Sequence, residues 1–147
     1  MTELGVLPGF EESAAYDVND AGQIVGISVR STSAHAFYWT PVAGMIDLGT
    51  LPGFDSSIGW RVNAGGQVVG TSSSRGLRAF SWTARNGMID LGSLGGFGSS
   101  AQHVNATGRL WVRVAHSLVH GTRLYGRRQA EWLISALSAE AAARLRP

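Results

Sequence analysis

Hydrophobic positions along this chain fall in short runs, and most runs are rich in β-branched or aromatic residues. Ile24-Val25-Gly26-Ile27, Ala36-Phe37-Tyr38-Trp39 and Met45-Ile46-Asp47-Leu48 are typical. Each run is bounded by Gly, Asn, Asp, Ser or Pro, which is the signature of strands separated by turns. The runs also recur. Gly44-Met45-Ile46-Asp47-Leu48-Gly49-Thr50-Leu51-Pro52-Gly53-Phe54 returns as Gly87-Met88-Ile89-Asp90-Leu91-Gly92-Ser93-Leu94-Gly95-Gly96-Phe97. Its second half opens the chain as Leu4-Gly5-Val6-Leu7-Pro8-Gly9-Phe10. Leu48 stands 44 residues after Leu4, and Leu91 stands 43 after Leu48. A period of that size marks a repeat architecture.

Four pieces make up each repeat. Ser13 to Asn19 matches Ser57 to Asn63 and Ser100 to Asn105. Gly22-Gln23-Ile24-Val25-Gly26 matches Gly66-Gln67-Val68-Val69-Gly70. Ala36-Phe37-Tyr38-Trp39-Thr40 matches Ala79-Phe80-Ser81-Trp82-Thr83, and the Gly-Met-Ile-Asp-Leu-Gly piece closes the unit. Asn19-Asp20-Ala21-Gly22, Asn63-Ala64-Gly65-Gly66, Val42-Ala43-Gly44 and Arg85-Asn86-Gly87 read as hairpin turns. In Phe37-Tyr38-Trp39 the two outer aromatics share one face of a strand and Tyr38 takes the other. Ser81 in the place of Tyr38 predicts that this other face is solvated.

Four short antiparallel strands per unit of about 40–45 residues is the size of a propeller blade. A solenoid coil is shorter per turn, and a sandwich has no reason to repeat its turns. The expected fold is therefore mainly β, with four-stranded blade-like repeats forming part of a β-propeller-like array. The β-repeat region spans residues 1–108, with repeats at about 4–47 and 48–90 and the start of a third at 91–108. The Leu-Gly-x-Leu-x-Gly-Phe segment reads as the connection between blades.

Charge divides the chain unevenly. Residues 1–108 carry five arginines against eight acids, whereas residues 109–147 carry seven arginines against Glu131 and Glu140. The pattern sets 109–147 apart as a basic tail outside the repeat. Gln129 to Leu145 is rich in good helix formers, and Leu133, Leu137, Ala141 and Leu145 make an apolar stripe, so a C-terminal α-helix is expected at about 128–145. Such asymmetry can also mark a nucleic-acid arm. There is no cysteine, so neither a disulfide nor a thiolate metal site is available. No apolar run reaches the roughly 18 residues of a membrane span, and the N-terminus does not read as a secretory signal.

Candidate chemistry is sparse. His35 has no second ligand at metal spacing, and the second copy has Arg78 there; His103, His116 and His120 are scattered. Asp47 and Asp90 are equivalent by repeat, and each precedes a Gly by two, which suits a carboxylate bonding local backbone N–H groups. Asp17 to Gly22 has the look of a calcium loop but lacks an oxygen ligand at Ala21 and a downstream Glu. No Gly-x-Ser-x-Gly elbow is present, and the Gly-rich connections lack the Lys of a phosphate loop. Phe37, Trp39, Phe80 and Trp82 have the ring chemistry to stack sugars or bases but sit at strand-interior positions that read as core. No catalytic, metal or cofactor residue is assigned, and self-association through exposed sheet edges is the expected mode of association.

The combination of Asp47-Leu48-Gly49-Thr50-Leu51-Pro52-Gly53, Val62-Asn63-x-x-Gly66-Gln67-Val68-Val69-Gly70 and His35-Ala36-Phe37-x-Trp39-Thr40 resembles the bacterial HAF repeat. The resemblance covers residues 4 to about 108. It implies an extracellular or cell-surface repeat protein of no known catalytic activity, with an unidentified ligand or protein partner. After Gly108 the pattern calls for Gln-Val-Val-Gly, but the chain reads Arg109-Leu110-Trp111-Val112. In a shifted frame, codons for Gly121 to Ser138 permit His-Ala-Phe-x-Trp-Thr-Pro-x-Gly-Gly-Met-x-Asp-Leu-Gly-Ser-Leu. That string is the missing third repeat, so residues 109–147 read as its frameshifted translation, and nucleic-acid binding by the tail is the lesser alternative.

Overall fold

The computed structural model describes residues 3–93 and 98–115, and for residues 125–129 the backbone. Among the described residues there are strands and turns and no helix. β1 (Glu12–Val18), β2 (Ile24–Arg30), β3 (Ser33–Thr40) and β4 (Gly44–Gly49) form one sheet in chain order. β5 (Ser56–Val62), β6 (Val68–Ser73), β7 (Leu77–Thr83) and β8 (Gly87–Asp90) repeat it. β9 (Gly98–Val104), β10 (Leu110–Ala115) and β11 (Tyr125–Gln129) form a third sheet, and every pairing is antiparallel. The helix expected at about 128–145 begins inside β11, so Arg128 and Gln129 are strand residues. The rest of that helix lies outside the described residues, as do His116 and His120.

β10 pairs with β9 as β2 pairs with β1 and β6 with β5. The ladder thus continues past Gly108 although the motif stops there. Leu110, Val112 and Val114 alternate into the core, and that is sufficient to hold a strand in register. The register also shows that Ser99, one residue before the Ser100 expected from the motif, is the equivalent of Ser13 and Ser57. Ser57 and Ser99 each accept a hydrogen bond from the preceding sheet, and all three bond the carbonyl of a preceding Gly.

Each sheet lies face to face against the next. Ala36 and Tyr38 of β3 pack with Leu51, Val62, Val68 and Phe80 of the second repeat. Ala79 of β7 packs with Ala101, Leu110 and Val112 of the third. Strand alternation therefore buries both sides of the aromatic strand. Phe37 and Phe80 point one way and are fully buried. Tyr38 and Ser81 point the other way, and they are only 7% and 6% exposed. The solvated face expected at Tyr38 and Ser81 does not exist, because the following sheet covers it. Tyr38 meets Trp82 with ring centroids 5.1 Å apart, and Ser81 accepts a hydrogen bond from Gln67 Nε2 at 2.9 Å. Burial raises the Tyr38 phenol above its usual pKa of 10.0.

Leu7 and Leu51, from the Leu-Gly-x-Leu connections, are among the most buried side chains. The backbone N–H of Leu51 donates to Ser72 Oγ of β6 at 3.2 Å, and that of Leu7 donates to Ser28 Oγ of β2 at 3.4 Å. Each connection therefore plugs the sheet that follows it. β1 is exposed along nearly its whole length, while its equivalents β5 and β9 are partly covered by the sheet before them.

Candidate functional site

Two polar devices recur at the joints between sheets. The first is a serine clip. Ser57 Oγ accepts from Ala36 N of β3 at 2.8 Å and donates to the Gly49 carbonyl. Ser99 Oγ does the same for Ala79 N at 2.9 Å and the Gly92 carbonyl. One buried hydroxyl thus satisfies two backbone groups that the joint removes from water.

The second device is an asparagine ladder. Asn19 Oδ1 accepts from the N–H groups of Ala21 and Gln23, and its Nδ2 donates to the Asn63 carbonyl at 2.8 Å. Asn63 repeats this, accepting from Gly65 and Gln67 and donating to the Asn105 carbonyl at 3.1 Å. Asn105 caps its own turn from Thr107 N and Arg109 N. The left-handed backbone of these turns is taken by Gly22, Gly66 and Gly108, with φ of 71°, 76° and 81°. Asn is present for its side chain, which closes the turn with one end and reaches the next repeat with the other.

His35 and Asp47 lie side by side on neighbouring strands, with His35 Nδ1 2.9 Å from Asp47 Oδ2. The Phe10 and His35 ring centroids are 5.0 Å apart, and Arg30 Cζ lies over the Phe10 ring, 5.1 Å from its centroid. Counting outward from the Thr40–Gly44 end of the β3–β4 hairpin pairs Phe37 with Asp47, so the His35–Asp47 neighbourhood was readable once that register was fixed. Asp47 also accepts from Gly49 N at 2.7 Å, and Asp90 accepts from Gly92 N at 2.7 Å. Both aspartates thus hold the turn role expected of them. Asp47 and Asp90 stand at equivalent places on β4 and β8 of different sheets. Among the described residues, no three of His, Asp, Glu and Cys converge as metal ligands. Nor is any helix there long and apolar enough to cross a membrane.

A feature absent from the motif reading is a bulge in the first strand of each sheet. Tyr16, Trp60 and Gln102 each fall at the register shift, between Ala15 and Asp17, Gly59 and Arg61, and Ala101 and His103. A bulge re-aims the side chain it carries. The three residues therefore hold equivalent positions in the three sheets. Tyr16 and Trp60 stack with ring centroids 5.2 Å apart, and Trp60 Nε1 donates to Thr71 Oγ1 at 3.2 Å. Past Trp60 the space opens into a cavity of about 320 Å³ between the second and third sheets.

No protein-family model, no curated protein and no solved structure matches the chain significantly.

Proposed function

We propose that this chain is a non-enzymatic β-repeat segment of a surface or secreted protein, related to the HAF repeats, that works in recognition or scaffolding. Its sheets stand as successive blades of a propeller-like array. The observation that supports this reading is the repeated joint. The same serine clip and the same asparagine rung join the first sheet to the second and the second to the third, at separations of 44 and 42 residues along the asparagine ladder. The serine clips and the asparagine Nδ2 groups of the repeat hold sheet to sheet, which is what a scaffold requires of them. Residues 109–147 are, on the same reading, a shifted translation of a third repeat, and the nucleotide sequence at codon 108 tests that directly.

The cellular reading is tested by probing intact cells of the source with an antibody raised against residues 3–115. Labelling of the surface, or recovery of the chain from the medium, is expected. Signal seen only after lysis would sink the proposal. Binding to duplex DNA that weakens steeply between 50 and 200 mM salt would favour the arginine tail as a nucleic-acid arm instead.

A further inference from the structure

We propose that copies of this chain join head to tail, the third sheet of one copy docking on the first sheet of the next through the same joint that links sheets within a chain. The asparagine ladder has two unlike ends. Asn19 and Asn63 each donate from Nδ2 to the carbonyl of the asparagine one repeat on. Asn105 caps its own turn through Oδ1, and among the described residues its Nδ2 has no acceptor. The other end of the ladder is an acceptor. The carbonyls of Asn63 and Asn105 each take two donors, a turn Gly and the preceding asparagine, whereas that of Asn19 takes Gly22 N alone among the described residues. The serine clip is half made at this same end. Ser13 Oγ donates to the Gly5 carbonyl at 2.7 Å but accepts from no described residue, where Ser57 accepts from Ala36 N and Ser99 from Ala79 N. On β11, Arg127 pairs with Arg113 and so holds the register place of Ala36 and Ala79. Its main-chain N–H is the donor that this register assigns to Ser13 of the next copy.

The apolar halves of the joint match as well. Leu110, Val112 and Val114 face the second sheet, so Trp111 between them faces the other way. Trp111 holds the register place of Val25 and Val69, which the following sheet covers completely, yet it is 39% exposed. On the first sheet Val18 holds the place of Val62 and is 60% exposed, against 7% for Val62 inside its joint. Half-buried Ile24, paired with Val18, holds the place of the fully buried Val68. Within the chain, Val25 of the first sheet shares one cluster with Val62 and Val68 of the second. Trp111 against Val18 and Ile24 of the next copy repeats that contact. Each face thus carries what the other lacks, whereas first sheet against first sheet would set acceptor against acceptor. Charge agrees with this pairing: residues 1–20 hold five acids and no arginine, and residues 109–147 hold seven arginines against two acids. A contact between unlike faces is heterologous and grows into a ring or a filament. This proposal does not depend on where the protein resides, and its failure would leave the scaffold reading intact.

Sedimentation equilibrium of the full chain tests the assembly. The weight-average mass should pass that of two chains by about 100 µM, the weak end for an interface of ordinary size. Val18→Arg blocks the receiving face and Trp111→Arg the donating one. Each variant alone should associate at least tenfold more weakly than the parent. An equimolar mixture of the two should form dimers and stop there, because each variant keeps the half-joint that the other has lost. Trp111→Ser serves where Trp111→Arg does not fold. Asn105→Asp keeps the turn cap and loses the donor, and it should weaken association at least threefold at about 0.5 M salt, where its added charge is screened. A parent chain that stays monomeric, or that stops at two copies, overturns the proposal. Undiminished association of Val18→Arg or of Asn105→Asp overturns it too, as does a mixture of the two blocked variants that stays monomeric.

Discussion

Gly70→Ala is the substitution that most directly tests how the second sheet is packed. Gly70 lies on β6, opposite Phe80 of β7, as Gly26 lies opposite Phe37. A methyl group at Gly70 would fall well inside van der Waals contact with the Ile58 carbonyl oxygen and 2.5 Å from Phe80 Cζ. Neither neighbour has room to retreat. Ile58 belongs to the β5–β6 ladder next to the bulge, and Phe80 is fully buried. Overpacking a core costs about 1–3 kcal/mol. Displacing the Ile58 carbonyl also weakens about two ladder hydrogen bonds worth ~1 kcal/mol each. The expected loss is about 3–5 kcal/mol, a large share of the ~5–15 kcal/mol that holds a typical domain together. In a chain of this size that lowers the melting temperature by roughly 6–20 °C. Gly59→Ala is the control. The added methyl would meet its neighbours at 3.4–3.5 Å, an ordinary contact, and Ala15 and Ala101 already occupy the equivalent positions. It should stay within about 1 kcal/mol of the parent. The third sheet has Val112 where the others have Gly, and there the partner across the ladder is Arg128 in place of Phe. The Gly70→Ala and Phe80→Leu effects should therefore be coupled and sum to more than the double variant loses. Thermal and urea denaturation measure the parent and all four variants. Gly70→Ala as stable as Gly59→Ala would refute the close-packing argument.

Four further outcomes follow from the joints and turns. Ser57→Ala leaves the buried Ala36 N–H without its acceptor and should cost about 1–3 kcal/mol by urea denaturation. Asn63→Asp keeps the turn cap but loses the donor to Asn105, whereas Asn63→Ala loses both; the Ala variant should be the less stable by about 1 kcal/mol. Asp90→Asn retains an oxygen acceptor for Gly92 N and should melt close to the parent, while Asp90→Ala should fall by about 1 kcal/mol. The raised Tyr38 pKa means that the unfolded chain loses its phenolic proton first; the stability this provides is fully present below about pH 10 and is lost as pH rises through the higher native value. The fall in melting temperature between pH 9 and 11.5 should be shallower in Tyr38→Phe; an unchanged slope counts against burial as the cause.

The period, the strands and the hairpin turns were all legible because each rests on local chemistry. Asn19–Gly22 and Asn63–Gly66 close turns with their own atoms, and Asp47 and Asp90 cap the Gly two residues on. What the sequence concealed depends on neighbours brought in from the next repeat. Tyr38 and Ser81 look like a solvated pair because one is polar and the other amphipathic, yet the following sheet covers both. The bulges at Tyr16, Trp60 and Gln102 leave no compositional mark, since an extra residue in one strand is visible only against its partner. His35 looks isolated along the chain, and only the β3–β4 register sets Asp47 beside it. The open half-joints at Val18 and Trp111 were hidden for the same reason, because each is recognised only against a filled joint elsewhere in the chain.

The serine clips and asparagine rungs run only between adjacent sheets, and this fixes how the protein should breathe. Such a stack behaves as a row of cooperative units, each coupled to its immediate neighbours. The middle unit, held on both sides, should open last. Amide exchange in β6 and β7 should therefore be the slowest in the chain, and exchange in β1, exposed along most of its length, should be fast. Cutting the rung at Asn63 would relax the protection of the third sheet before that of the first, so the direction in which protection is lost would reveal which joint carries the coupling.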